Sequence, residues 1–419
     1  MEFSPYLVAW NLTKRCNLKC SHCYLDASEL EDGGTDELTK EDGISLIEQI
    51  SKVNPNTILV ITGGEPLLRG DILEIGASAV KKLMMVVLGT NGILIDKPLA
   101  SELVRIGITG TGISLDSLDS KRHDAFRGLP GAWESTMKGI EACKEAGLEF
   151  QIHTTVNKDN LDEIDSIIEY SHKAGARVFN LFFLVCTGRG EKFTDISPPQ
   201  YESTLRRMVD MQGRYEGMLI RARCAPYFKR IAYQKDPLSP LTKAAGYMGG
   251  GCLAGTFYCR IAPNGDVTPC PYMTVSAGNI KKESFSSIWA NSSILKSLRN
   301  PDLGGKCGEC EYRLLCGGCR ARPYSATGDF LGEDSWCLYK PKGGRPVGID
   351  SVASKPNVDL VWDGKARERL ARIPYFLRGM VEKGVERYAR EKGTNLVTPE
   401  LMEELRKKRF GTEKPIFKM

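Results

Sequence analysis

Cys16-Asn17-Leu18-Lys19-Cys20-Ser21-His22-Cys23 decides how the rest of this chain reads. The stretch follows directly on residues 6–13, a mostly apolar run with the character of a strand covered on both faces. Three thiols at CxxxCxxC spacing on one loop suit three irons of a [4Fe-4S] cube and leave the fourth iron open to another ligand. Zinc asks for four donors, and His22, wedged between Cys20 and Cys23, has little slack to be the fourth.

Working outward, the same kind of run recurs. Residues 57–62, 84–90, 109–116, 150–156 and 178–185 read as further strands, with helical patterns at 39–52, 72–83, 133–146 and 160–174. Gly107, Gly147 and Gly175 stand where helices end. Six βα units predict an α/β fold with a parallel, barrel-like sheet. That is fewer than a closed (β/α)8 barrel requires, so a partial (β/α)6 TIM-like barrel is expected. Pro198 and Pro199 open another helix over 200–212, and 218–223 is strand-like.

Residues 240–340 are rich in Gly, Pro and Cys, with weak periodicity. Such a stretch buries little apolar core, so ligated metal would have to organise it. Residues 341–360 read as a linker. Helical patterns follow at 367–373, 375–392 and 399–409, the last opened by Thr398-Pro399-Glu400. The expected divisions are 1–225, 226–345 and 346–419.

Of the 419 residues, 42% are hydrophobic and 26% charged, which excludes a disordered chain. No apolar run approaches about 18 residues, so no membrane span is expected. Met-Glu-Phe-Ser-Pro at the start has no basic segment before an apolar core, so a cytoplasmic protein is expected. Residues 351–419 carry 16 Lys+Arg against 10 Asp+Glu. The net charge of +5 therefore belongs to the tail, and the body is near neutral. Lys407-Lys408-Arg409 reads as a solvated helix end, and no nucleic-acid partner is called for.

Fourteen cysteines are the abnormal feature of the composition. A reducing cytoplasm favours metal ligation over disulfides. Beyond the first cluster, Cys252, Cys259, Cys270, Cys307, Cys310, Cys316, Cys319 and Cys337 suffice for two four-thiolate cubes, or for two zinc ribbons. Full cysteine ligation leaves no iron open, which suits electron transfer. Cys143, Cys186 and Cys224 remain. Among these, Cys186 falls where chemistry is expected, as a hydrogen-atom donor or resting ligand; the alternative is a buried thiol.

The first cluster does not stand alone. Gly63-Gly64-Glu65-Pro66 follows the second strand, Thr90-Asn91-Gly92 the third, and Ser114-Leu115-Asp116 the fourth. His153-Thr154-Thr155-Val156-Asn157 ends the fifth, and Val185 with Thr187-Gly188-Arg189-Gly190 follows the sixth. In this order the set resembles the radical S-adenosylmethionine (SAM) enzymes. The resemblance implies a SAM-binding cube on Cys16, Cys20 and Cys23. It places Gly63, Gly64, Glu65 and Pro66 at the methionine amino group, Thr90, Asn91, Ser114, Asp116 and Thr155 at ribose and carboxylate, and Val185 at adenine. It implies reductive cleavage of SAM to a 5′-deoxyadenosyl radical, with a ferredoxin- or flavodoxin-like electron donor.

The second array, with Gly265-x4-Cys270, resembles the SPASM auxiliary-cluster domain and implies one or two auxiliary [4Fe-4S] clusters. Transferring its interleaved ligation gives Cys252, Cys259, Cys270 and Cys319 to one and Cys307, Cys310, Cys316 and Cys337 to the other. The family's usual three residues between the sixth and seventh positions are here only Gly317 and Gly318.

Residues 362–410 resemble the small C-terminal helical domain of light-independent protochlorophyllide reductase subunits. Its alternative is a helical cap or protein-docking module. Gly131-Ala132-Trp133-Glu134, the segment from Leu184 to Gly190, and Gly317-Gly318-Cys319-Arg320-Ala321-Arg322 resemble the radical SAM enzymes of the alternative heme pathway. That group implies a tetrapyrrole substrate: oxidative decarboxylation of Fe-coproporphyrin III propionates, or didecarboxysiroheme deacetylation. Peptide or protein maturases share these phrases, and a non-catalytic iron–sulfur electron carrier is the reading outside enzymes. For a tetrapyrrole, Arg189 and then Arg127 are the expected propionate clamps, with a surface salt bridge as the other reading of Arg127. His153 is expected to face the barrel mouth and act on substrate or SAM, or else to be a core histidine.

Overall fold

The computed structural model describes residues 3–27, 36–82, 85–192, 196–243, 251–347, 360–373, 378, 381–382, 384–386, 388–389, 392 and 394–410. Residues 83 and 84, at the ends of an expected helix and strand, lie outside these.

The strands β1 (Leu7–Asn11), β2 (Ile58–Thr62), β3 (Met85–Thr90), β4 (Gly110–Ser114), β5 (Phe150–Val156), β6 (Val178–Phe183) and β7 (Leu219–Arg223) lie side by side in chain order. All are parallel. The six expected strands are present, and 218–223 supplies a seventh. The sheet does not stop at β1. From the Cys-rich region, β8 (Tyr258–Ile261) pairs parallel with β1, and β9 (Asp266–Thr268) and β10 (Gly278–Asn279) follow antiparallel. The result is one ten-stranded sheet in the order β10-β9-β8-β1-β2-β3-β4-β5-β6-β7, in which β7 and β8 are not paired.

Helices cover the outer face. In α1 (Lys40–Val53), Thr39 and Asp42 form a reciprocal capping box, and Leu46, Ile47 and Ile50 are buried. The helices α2 (Ile72–Lys81), α3 (Lys97–Arg105), α4 (Ser120–Arg127), α5 (Ala132–Ala146) and α6 (Ile164–Ala174) return the chain between strands. Gly147 and Gly175 end α5 and α6 in the left-handed conformation.

Strand alternation then sorts inside from outside. Val8, Trp10, Val86, Leu88, Ile113, Ile152 and Phe179 pack with the helices in one core. The alternate residues face a lumen that side chains do not fill: β3 and β5 alternate between buried and partly exposed positions.

The chain divides into two compact units after Gly348. In the second, Val361–Trp362 pairs parallel with Leu396–Val397. There, α7 (Gly364–Ala371) and the helix Pro399–Phe410 are built around Ala366, Leu370, Val385, Tyr388, Ala389, Val397, Met402 and Leu405. Thr398 Oγ1 accepts from Leu401 N at 3.3 Å, the expected helix start. The expected helix at 375–392 falls partly outside the described residues.

Candidate active site and its cysteines

The loop after β1 brings Cys16, Cys20 and Cys23 into one small apolar cluster with Leu18, Ala27 and Ala132. It is anchored from three sides. The last carbonyls of α4, orphans in any helix end, accept from the loop: Lys19 N to Arg127 O at 3.2 Å and Ser21 N to Phe126 O at 3.0 Å. From below, Gly64 N donates to Thr13 O at 2.8 Å and Glu65 N to Arg15 O at 2.7 Å. A Cβ at Gly64 would lie 2.1 Å from Arg15 O, and Gly63 (φ 138°) would meet Thr13 O at 2.6 Å. The two glycines therefore let the second loop lie directly on the first. From the third side, Arg189 Nε donates to Cys20 O at 3.0 Å and Nη1 to Ala27 O at 2.8 Å. Nη1 also pairs with Asp26 at 2.7 Å.

This placement changes the meaning of both arginines. Arg189, expected at a propionate, has its guanidinium turned onto the cysteine loop because Thr187-Gly188 brings it back against Cys23, where Arg189 N donates to Cys23 O at 3.0 Å. Arg127 is not a surface residue: its side chain is 7% exposed and forms an ion pair with Asp116, itself 2% exposed. Its Nη1 donates to Cys20 Sγ at 3.7 Å. Burial alone would raise the Asp116 carboxyl, but the charge of Arg127, with His22 and His123 beside it, holds it below the ordinary carboxylate range.

The loop suits iron–sulfur ligation. Burial pushes the Cys16 thiol up to about 12 and the Cys20 thiol upward as well, the neighbouring cysteines adding to it. Ligation to iron would require loss of that proton, and N–H donors meet two of the sulfurs, from Arg127 on Cys20 and from Ala27 N on Cys23 at 3.4 Å. His22 does not converge with the thiols. Its ring stacks on Phe126 at 4.4 Å, and burial lowers its pKa to about 4.

The other expected contact residues line the carboxyl ends of the strands. Glu65 is fully buried and accepts from Thr90 Oγ1 at 2.9 Å, Asn91 N at 2.9 Å and Leu67 N at 3.1 Å. Burial lifts its pKa to about 7 against these donors. Pro66 is buried and opens the single turn Pro66–Leu68. Asn91 Nδ2 reaches back to Asn17 at 2.7 Å, and Asp116 Oδ1 accepts from Thr155 N at 2.8 Å. Ser114 lies beside His153 in register. The His153 ring sits over Gly112, where a Cβ would approach it to 2.3 Å, and burial with the charges of Arg223 and Arg127 lowers its pKa to about 3, a neutral imidazole. Arg260 donates to Asn11, which donates to Tyr24 Oη at 2.9 Å, and Arg223 donates to Asn180 Oδ1 at 2.9 Å. These lumen arginines were not singled out from sequence; their signal was strand parity, readable only once the strands are fixed.

Val185 packs with Cys270 and Cys319 in a separate apolar cluster that includes Cys224 and Cys252 at its edge. Cys186 is partly exposed, and its carbonyl accepts from Ser325 Oγ at 2.7 Å. Cys307, Cys310, Cys316 and Cys337 line one pocket. Gly317 and Gly318 are both left-handed (φ 67° and 68°), which turns the chain so sharply that Cys316 and Cys319 enter different groups. The two-residue spacing thus still separates them. Among the described residues no three or more His, Cys, Asp or Glu side chains converge on one ion centre.

The comparisons agree with this layout. Residues 10–171 match the family described as the Radical SAM superfamily, 252–311 an iron-sulfur cluster-binding domain, SPASM, and 362–406 a proto-chlorophyllide reductase 57 kD subunit. The chain is 41% identical over 347 residues to the AdoMet-dependent heme synthase of Methanosarcina barkeri, spanning 81% of this chain and 98% of the relative. It is 30% identical over 371 residues to the pre-heme d1 synthase of Dinoroseobacter shibae, 84% and 90% covered. Streptococcus suis SuiB bound to S-adenosylmethionine shares the fold at TM-score 0.65 and 19% identity, over 80% of this chain and 78% of that one. The chain belongs to the radical SAM superfamily: it is an enzyme that uses SAM on a [4Fe-4S] cluster and carries a SPASM iron–sulfur domain. Among the described residues no helix is long and apolar enough to cross a membrane.

Proposed function

We propose that this enzyme converts the propionates of a tetrapyrrole, Fe-coproporphyrin III, to the vinyls of heme b. The observation that carries the reading is the 41% identity to a heme synthase over 98% of that relative's length. In this reading Cys16, Cys20 and Cys23 hold the SAM-binding cube, and Gly63, Gly64, Glu65, Pro66, Thr90, Asn91, Ser114, Asp116, Thr155 and Val185 surround SAM. When bound, SAM and the cube supply a radical that removes a hydrogen atom. Each propionate then gives up that atom from the carbon next to the ring, one electron and CO2, leaving a vinyl.

The chain's own groups answer to that balance. Arg223 and Arg260, on the lumen face of β7 and β8, offer guanidinium charge for the carboxylates. The neutral His153 stands between the ends of β4 and β5 without adding a competing cation. Arg127 and Arg189 position the cysteine loop. The SPASM cysteines would hold auxiliary clusters, which would supply a route for the released electron, and a ferredoxin- or flavodoxin-like partner would be the electron donor to the SAM-binding cube. Cys186 lies beyond β6 at the mouth, where a hydrogen-atom donor would stand.

The test is anaerobic incubation of reconstituted enzyme with SAM, a strong reductant and Fe-coproporphyrin III, read by mass spectrometry. Heme b together with 5′-deoxyadenosine is expected. 5′-Deoxyadenosine without a new tetrapyrrole would overturn the assignment. Turnover of didecarboxysiroheme in its place would move the enzyme to the deacetylation step, and turnover of a peptide would move it among the maturases.

A further inference from the structure

We propose that Cys224, rather than Cys259, is the fourth thiolate of the auxiliary cluster gathered around Cys252, Cys270 and Cys319. The proposal rests on the iron–sulfur reading of the SPASM cysteines given above and changes which residue completes one set.

Cys259 stands on the wrong face. It is the second residue of β8 and pairs in register with Val8 of β1. Partners in parallel register share a face, and Val8 belongs to the helix-facing core, fully buried. Cys259 is packed there too, 0% exposed, among the same apolar residues as Phe285, Ile288 and Leu295. The charged group bearing on its thiol is the Arg299 guanidinium, and no other cysteine does. The residue before it, Tyr258, faces the opposite way, into the cluster that holds Cys270 and Cys319.

Cys224 is on the right face. It lies one residue beyond β7 and packs in that same cluster with Cys252, Cys270 and Cys319. The backbone is bent to hold it there. Cys224 has φ +59°, one of two non-glycine residues with positive φ among those described. Strain of this kind persists only where the surroundings fix it. They do: Tyr201 Oη and Arg322 Nη1 both donate to Cys224 O, each at 2.8 Å, and Arg322 also donates to Tyr201 Oη at 2.6 Å.

The assignment has a structural consequence. β7 is one edge of the ten-stranded sheet, and β8, which pairs with β1 and β9, does not pair with it. A cube held by Cys224 beyond β7 and by Cys252 and Cys270 flanking β8 and β9 would tie the β7 edge to the part of the sheet that carries the other ligands.

The experiment uses the full chain with Cys16, Cys20 and Cys23 replaced by Ala, so that the auxiliary iron is seen alone. Into it go Cys224→Ala and, separately, Cys259→Val, which refills the apolar core. Iron and sulfide per chain, and EPR of the oxidised protein, are measured after anaerobic reconstitution. The parent is expected to hold about eight irons. Cys224→Ala should lose about four of them or show the signal of a [3Fe-4S] centre, and Cys259→Val should match the parent. Loss in Cys259→Val with retention in Cys224→Ala overturns the assignment, as does equal loss in both. A parent holding no cluster iron overturns the reading beneath it, and the assignment with it. Cys224→Ser guards against misfolding: if it regains the irons with an altered EPR spectrum, ligation is the cause, and if it behaves as Ala while circular dichroism shows lost structure in both, the residue is structural and the proposal fails.

Discussion

Replacing Arg127 with Met should be among the most damaging single changes outside the cysteines. The guanidinium is buried against Asp116, both side chains under a tenth exposed. Without it a carboxylate is left in the interior with a single backbone donor on Oδ1, Thr155 N at 2.8 Å. Breaking one side of such a pair costs about 3–5 kcal/mol, and losing the donor to Cys20 Sγ adds about 1 kcal/mol. Burial, no longer opposed by Arg127, then raises the Asp116 carboxyl above its unfolded value. In the variant this group favours folding below its unfolded pKa, and that contribution is lost as pH rises through the folded pKa. The deficit relative to wild type should therefore shrink on acidification. Anaerobic urea unfolding of wild type, Arg127→Met, Asp116→Asn and the double variant forms the test. The double variant should cost at least about 2 kcal/mol less than the sum of the singles. Additive losses, or a loss in Arg127→Met below about 1 kcal/mol, would refute the reasoning. Removing positive charge and an N–H···S bond from Cys20 should also shift the first cluster's midpoint potential to more negative values.

Further outcomes follow from the same geometry. Gly64→Ala, whose Cβ would press on Arg15 O at 2.1 Å, should cost about 1–3 kcal/mol and lower iron retention at Cys16, Cys20 and Cys23, measured by thermal unfolding and iron content. Arg189→Ala should speed the release of the first cluster's iron to a chelator while leaving KM for the tetrapyrrole near wild type. A large KM rise with normal iron retention would return Arg189 to the substrate. His123 is 1% exposed and accepts from Asp116 N at 3.3 Å, and burial, then Arg127, lowers its pKa from 6.5 to about 4. The unfolded chain binds the proton first, so stability is lost as pH falls from 6.5 towards 4, by about 3 kcal/mol. His123→Asn, which keeps an acceptor for Asp116 N, should flatten the pH dependence of the urea midpoint by that amount.

The strands were legible because each is a short apolar run bounded by loops, and residues 150–156 appear with those same bounds as β5. Other elements were hidden for physical reasons. The α4 residues buried against the body are His123 and Arg127, so an apolar period cannot reveal the helix. β8 is four residues long inside a Cys- and Gly-rich stretch, too short for alternation to register. The cluster cysteines declare themselves by spacing, but spacing cannot say on which face Cys259 falls, nor that the chain after β7 returns Cys224 to the same group. Arg189 looked like a substrate residue because it follows a strand; the loop it clamps is far away in sequence and adjacent in space.

The most direct measurement of the central claim uses Fe-coproporphyrin III deuterated at the propionate carbons next to the ring. The enzyme, SAM and reductant are incubated anaerobically and the 5′-deoxyadenosine is weighed by mass spectrometry. Hydrogen abstraction at that carbon predicts singly deuterated 5′-deoxyadenosine, about two per heme b formed. Unlabelled 5′-deoxyadenosine accompanying heme b, or labelled 5′-deoxyadenosine with both propionates intact, would contradict it.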